Sequence, residues 1–162
     1  MLSSHIRRSN RVKRKLWWAL VAIVLLLVLI QFIPVNRTNP PVTQEIVWNA
    51  PETKALAQRA CYDCHSNETT WPWDSYVAPI SWFIGNHIAE GRERLNFSEW
   101  DKPNAEAEEI IRSVRNDSMP LQSYLIMHPD AKLTAAEKEA LIAGLNATLQ
   151  ADPPVPGRGE RR

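Results

Sequence analysis

Cysteine is scarce in this chain of 162 residues, which has two. Without a second cysteine pair, a four-ligand zinc module has a poor start. Net charge is nearly absent as well, at +1, which argues against a nucleic-acid binder. No internal repeat is visible, and the length leaves room for one modest domain. A composition of 44% hydrophobic and 23% charged residues is ordinary, so neither a wholly disordered chain nor a polytopic membrane protein fits. Two local absences say more than these averages. Residues 1–15 contain no acid, and residues 16–33 contain no charge of either sign.

The acid-free segment carries Arg7, Arg8, Arg11, Lys13, Arg14 and Lys15, and the remaining residues hold 13 basic against 18 acidic groups, a net −5. Leu16 to Ile33 is apolar apart from Gln31 near its far end. As a helix at about 1.5 Å per residue it would span roughly 27 Å, close to the thickness of the bilayer hydrocarbon. Trp17 and Trp18 stand at its basic edge, where amphipathic rings prefer the headgroup region. The expectation is a single-pass anchor in the bacterial inner membrane, with a cytoplasmic N-terminus and the rest periplasmic or otherwise extracytoplasmic. A cleaved signal peptide is the alternative. It accounts less well for an apolar run beyond the usual ~7–15 residues and for the lack of a small-residue cleavage site after Ile33.

Composition divides the chain further. Residues 1–15 read as a cytoplasmic basic segment, 16–33 as the anchor and 34–47 as a Pro/Asn/Thr-rich linker. Residues 48–150 read as one folded domain and 151–162 as a flexible tail. The domain contains both cysteines in the run Cys61-Tyr62-Asp63-Cys64-His65. This is the attachment signature of c-type haem: two thiols on one turn can each add across a porphyrin vinyl group, and the adjacent imidazole can serve as proximal ligand. A thioredoxin-like redox pair would want a βαβ context, whereas the flanks here look helical. A simple disulfide at this spacing would be strained and would close too short a loop to stabilise much. Export to an oxidising compartment agrees with the haem reading.

For the sixth position of the iron the candidates are Met119, His87, and the pair Met127 and His128, with an open iron as the remaining case. Met119 lies in a polar turn stiffened by Pro120, and its soft thioether suits an electron carrier. His87 falls on an apolar stripe with Ile80, Phe83, Ile84, Ile88, Gly91 and Leu95, on a helix expected from about Pro79 to Arg94. It is the alternative distal ligand, or a satisfied core histidine. Further helices are expected over residues 50–63 and 104–115, and from the capping box Thr134-Ala135-Ala136-Glu137 through Leu141, Ile142, Leu145 and Leu149. The last should pack across the helix entering the cysteine motif. Segment 66–78, with Trp71-Pro72-Trp73, reads as an irregular loop whose rings form either a haem-pocket wall or an aromatic mini-core. The fold class implied is all-α: one N-terminal transmembrane helix followed by a small cytochrome c-like helical haem domain.

Cys61 through Thr69, Trp71-Pro72-Trp73, Ala78-Pro79, Ser81-Trp82, Gly91-Arg92, Leu95 through Trp100, Met119-Pro120, Tyr124 and His128-Pro129 together resemble the bacterial haem-binding domain family of c-type cytochrome-like proteins, over about residues 48–150. The resemblance implies one covalent haem c per chain and a periplasmic setting, and favours Met119 through its Met-Pro-x-x-x-Tyr context. The reading is therefore a membrane-anchored monohaem cytochrome that transfers single electrons and performs no catalysis. Cys61, Cys64, His65 and Met119 would hold the haem, with His65 and Met119 on the iron. Its partners would be redox proteins with a basic docking face, not nucleic acid. A haem-based sensor of a diatomic gas, or a peroxidase with an open or His87-assisted distal site, is the rival.

Overall fold

The computed structural model describes residues 2–104 and 107–156, with side chains described there except at 2–10 and 108. Helices account for the regular structure, and no strand occurs among the described residues. The chain forms two compact units, Met1–Asn36 with Pro72–Ile84, and Arg37–Trp71 with Gly85–Arg162.

In the first unit, helix α1 runs from Leu2 to Leu29 and ends in a 3₁₀ turn, Ile30–Phe32. The basic segment is thus helical and continuous with the apolar run. Arg11–Phe32 is long and apolar enough to cross a membrane, and its large side chains are exposed. Gln31, the one polar residue late in this run, donates from Nε2 to the carbonyls of Leu27 (2.9 Å) and Ala78 (3.1 Å). Its Oε1 accepts from the Ala78 backbone N–H at 2.9 Å. Around Ala78, Pro72 opens a 3₁₀ turn over Trp73–Tyr76, as expected of a stretch too rich in Pro and Trp for regular structure. The expected aromatic mini-core does not form here, because Trp73 and Tyr76 are largely exposed.

The second unit is built around aromatic rings. Trp48, Tyr62 and Trp100 surround Phe97, with ring centroids 5.2, 5.7 and 6.4 Å from it. Helix α2 (Pro51–Ala60) starts with Pro51 in its first turn, where a missing N–H costs nothing. One short turn, α3 (Tyr62–His65), follows it. Helix α4 (Ile80–Arg94), whose first five residues belong to the first unit, matches the expected range, but its stripe differs: Ile80 and Phe83 are exposed, whereas Ser81, Ile88, Gly91 and Leu95 are buried. The helix expected from residue 104 is a 3₁₀ turn, Ala107–Glu109, followed by α5 (Ile110–Arg115). Asn104 does not open a helix because it is committed elsewhere. Its Oδ1 accepts from the Asn96 N–H at 2.7 Å, and its own N–H donates to the Val155 carbonyl at 3.1 Å.

Helix α6 (Gln122–Met127) is an addition to the expected set. Helix α7 (Ala135–Ala151) begins at the Thr134–Glu137 capping box, buries Leu141, Ile142 and Leu145, and packs against α2 and α5. Its crossing with α2 is close: a Cβ on Gly144 would lie 2.2 Å from Thr53 Oγ1. Two segments expected to be loose are pinned. Within 34–47, the N–H groups of Thr43 and Ile46 donate to the carbonyls of Ser98 and Phe97 at 3.0 Å each, and Ile46 is buried. Within 151–162, Asp152 accepts from the Val47 N–H at 2.8 Å and from Trp100 Nε1 at 3.2 Å. Residues 157–162 of the expected tail lie outside the described residues.

Candidate functional site

The site forms where α2 ends. Cys61 closes α2 through its N–H to the Ala57 carbonyl (2.8 Å), and its own carbonyl accepts from the N–H groups of Cys64 (3.2 Å) and His65 (2.9 Å). That single turn places Cys61, Cys64 and His65 around one cavity of about 290 Å³, close to the lower end of the ~300–1,000 Å³ typical of small-molecule and cofactor sites. Leu95, Ile110, Val114 and Leu121 supply apolar lining, and Met119 and His87 line the same cavity.

Tyr62 and Asp63, the two residues between the cysteines, fix this turn from opposite directions. Tyr62 is buried against Phe97, and its hydroxyl donates to Glu45 Oε1 at 2.8 Å and accepts from Trp48 Nε1 at 3.1 Å. Asp63 Oδ2 accepts from the Tyr124 hydroxyl at 2.7 Å, and Oδ1 from the Thr70 N–H at 2.9 Å. Tyr124 lines the cavity, and burial together with the Asp63 carboxylate holds its phenol well above the usual tyrosine range, so it remains a donor. Arg92 adds a further clamp. Its guanidinium donates to the carbonyls of Ser66 and Thr38, to Asn39 Oδ1 and to Thr69 Oγ1, all at 2.8–2.9 Å.

His65 is oriented by the end of α4. Its Nδ1 lies 3.1 Å from the carbonyl oxygens of both Gly91 and Leu95. Carbonyls only accept, so Nδ1 carries the proton and the ring's lone pair is on Nε2. Gly91 is required by the same approach, since a Cβ there would stand 2.5 Å from the Cys64 carbonyl oxygen. Both cysteines are free thiols. Desolvation, with a smaller contribution from Cys64, pushes the Cys61 thiol up to about 12. Desolvation and then the Asp63 carboxylate raise Cys64 to about 11, against a smaller opposing effect of Arg92. Neither thiol is appreciably a thiolate at neutral pH.

These residues fit a haem. Two thiols on one turn, an imidazole with a fixed tautomer, a soft thioether and an apolar wall meet at one cavity. Of the other candidates for the iron, Met127 and His128 do not line it. His128 instead stacks on Tyr124 at 4.1 Å, with Nδ1 3.2 Å from the Tyr124 carbonyl. Trp71 and Trp73 are also absent from the lining, so the Trp-Pro-Trp segment is not a wall of this cavity. Asp63, Arg92 and Tyr124 carried no assigned role in the sequence. The pairing of Gly91 with Arg92 and the spacing of Met119 from Tyr124 were the available signals.

The haem-binding domain family model matches residues 25–147, and the chain belongs to this family. No curated protein and no solved structure matches it significantly. The match begins inside the apolar run and includes the pinned segment 34–47.

Proposed function

We propose that this protein is a membrane-anchored, single-haem c-type cytochrome that carries one electron at a time on the periplasmic side. The convergence of Cys61, Cys64, His65 and Met119 on one cavity carries this reading. The haem would supply a one-electron iron couple. Cys61 and Cys64 would each add S–H across a vinyl group, with the thiol hydrogen passing to the second carbon and no leaving group. His65 would ligate through Nε2, its ring held by Gly91 and Leu95, and Met119 would ligate through sulfur. The α1 helix would anchor the chain, with six basic residues before Leu16 keeping that end cytoplasmic. The net −5 of the remaining residues favours a redox partner with a basic docking face.

The test is an optical spectrum of the full-length protein in detergent, oxidised and reduced, with and without carbon monoxide. A low-spin spectrum with a sulfur-to-iron band, indifferent to carbon monoxide, is expected. Met119→Ala should turn the iron high-spin and lower its potential, while His87→Ala should leave it low-spin. A wild-type iron that is high-spin and binds carbon monoxide would remove the electron-carrier reading. The reverse pattern in the two variants would move the ligand to His87.

A further inference from the structure

Segment Pro72–Ile84 shares a compact unit with α1, and no exposed charge interrupts it: its one acid, Asp74, is buried. What it exposes is apolar or aromatic. Trp73 is 72% exposed, Tyr76 61%, Phe83 53% and Ile80 47%, a concentration of large exposed apolar side chains within thirteen consecutive residues. These side chains do not line the cofactor cavity. The segment is fastened to the far end of the apolar run through Gln31, whose amide pairs with both the N–H and the carbonyl of Ala78 at 2.9 and 3.1 Å.

That fastening sets the level at which the rings lie. Trp17 and Trp18 mark the basic edge of the span, and Gln31 lies 14 residues later, roughly 21 Å along a helix. A polar amide this far along the run belongs near the opposite interface, where its hydrogen bonds must be met by protein or by headgroup water. Ala78 meets two of them, so Trp73, Tyr76, Ile80 and Phe83 are held at that interface. Tyrosine and tryptophan partition there because the ring body is apolar and the polar tip stays wet.

We propose that Pro72–Ile84 is a second membrane-contacting element, an interfacial aromatic loop that embeds Trp73, Tyr76, Ile80 and Phe83 among the lipids of the outward-facing leaflet. The inference rests on α1 spanning the bilayer. It assigns Trp73 of the Trp-Pro-Trp motif to lipid.

The experiment uses the full-length protein in vesicles of phosphatidylethanolamine and phosphatidylglycerol that contain a phospholipid with a diazirine near the top of its acyl chain. After irradiation, peptide mass spectrometry should find lipid adducts on residues 72–84 as well as on α1, and none on α7. In the variant Trp73→Ser, Tyr76→Ser, Phe83→Ser, adducts on 72–84 should be lost while α1 labelling and the haem spectrum persist. Labelling of α1 without labelling of 72–84 would overturn the proposal and leave the anchor intact. Cross-linking of 72–84 to a second copy of the chain would also overturn it. An unlabelled α1 would remove the anchor itself, and this proposal with it.

Discussion

A carbonyl oxygen can only accept a hydrogen bond, and His65 Nδ1 meets two of them. The ring's tautomer therefore follows from where α4 ends: the Gly91 carbonyl, which also accepts from the Leu95 N–H at 3.0 Å, and the Leu95 carbonyl just past the helix both face it. Glycine is decisive at two positions for a related reason, close approach of one backbone element to another. Gly91 faces the Cys64 carbonyl, and Gly144 faces Thr53 across the α2–α7 crossing. Gly144→Ala should therefore lower stability by about 1–3 kcal/mol, since neither a packed β-branched neighbour nor the α2 backbone can withdraw freely. Thermal unfolding of the full-length protein checks this, and adding Thr53→Ala should recover part of the loss by removing the two nearest atoms. No recovery would mean the two helices separate as units and the contact is not local. At this scale the thiol pair and His65 were legible, because chemistry dictates their spacing. Asp63 and Tyr124 were not: their carboxylate–phenol bond joins residues 61 positions apart in the chain.

Elements were legible where a local signal sufficed. The capping box predicts the start of α7, and Pro51 the start of α2. Expectations failed where distant backbone claimed a segment. Residues 34–47 look like a tether by composition, yet Thr43 and Ile46 are taken up by carbonyls near Phe97, and Asn104 is drawn from a helix start into the contacts of a loop. On α4 the apolar spacing takes in Ile80 and Phe83, which are exposed, because periodicity alone does not show which apolar positions neighbouring elements cover. The start of α7 also carries a pH dependence. Glu137 is held at about 2, below the ordinary 4.5, first by the Thr134 backbone N–H and then by Arg59 of α2 at 2.6 Å. A carboxyl depressed in the folded state contributes fully above its unfolded value, and that contribution is lost as the pH falls from about 4.5 through about 2. Wild type should lose helicity, followed by circular dichroism, across that window. Glu137→Gln should start less stable at neutral pH and show a flatter profile there, whereas identical profiles would show that the cap contributes nothing.

Across the whole molecule, a net charge of +1 conceals a basic start and a −5 remainder separated by an uncharged span. The uncharged span falls within Arg11–Phe32, which is long and apolar enough to cross a membrane. The core of the second unit is small, and residues that close it, Leu95, Ile110 and Val114, also line the cofactor cavity. A bound haem would therefore complete the core. Family membership establishes a haem-binding domain over residues 25–147; covalent attachment through Cys61 and Cys64 is the claim on which the cytochrome reading depends. The most direct measurement is the mass of the chain after extraction with acidified organic solvent, which removes haem that is not covalently bound. The haem mass should remain on the wild-type chain and be absent from Cys61→Ser, Cys64→Ser. A wild-type chain that emerges at its bare mass, with the haem in the organic phase, would contradict the account.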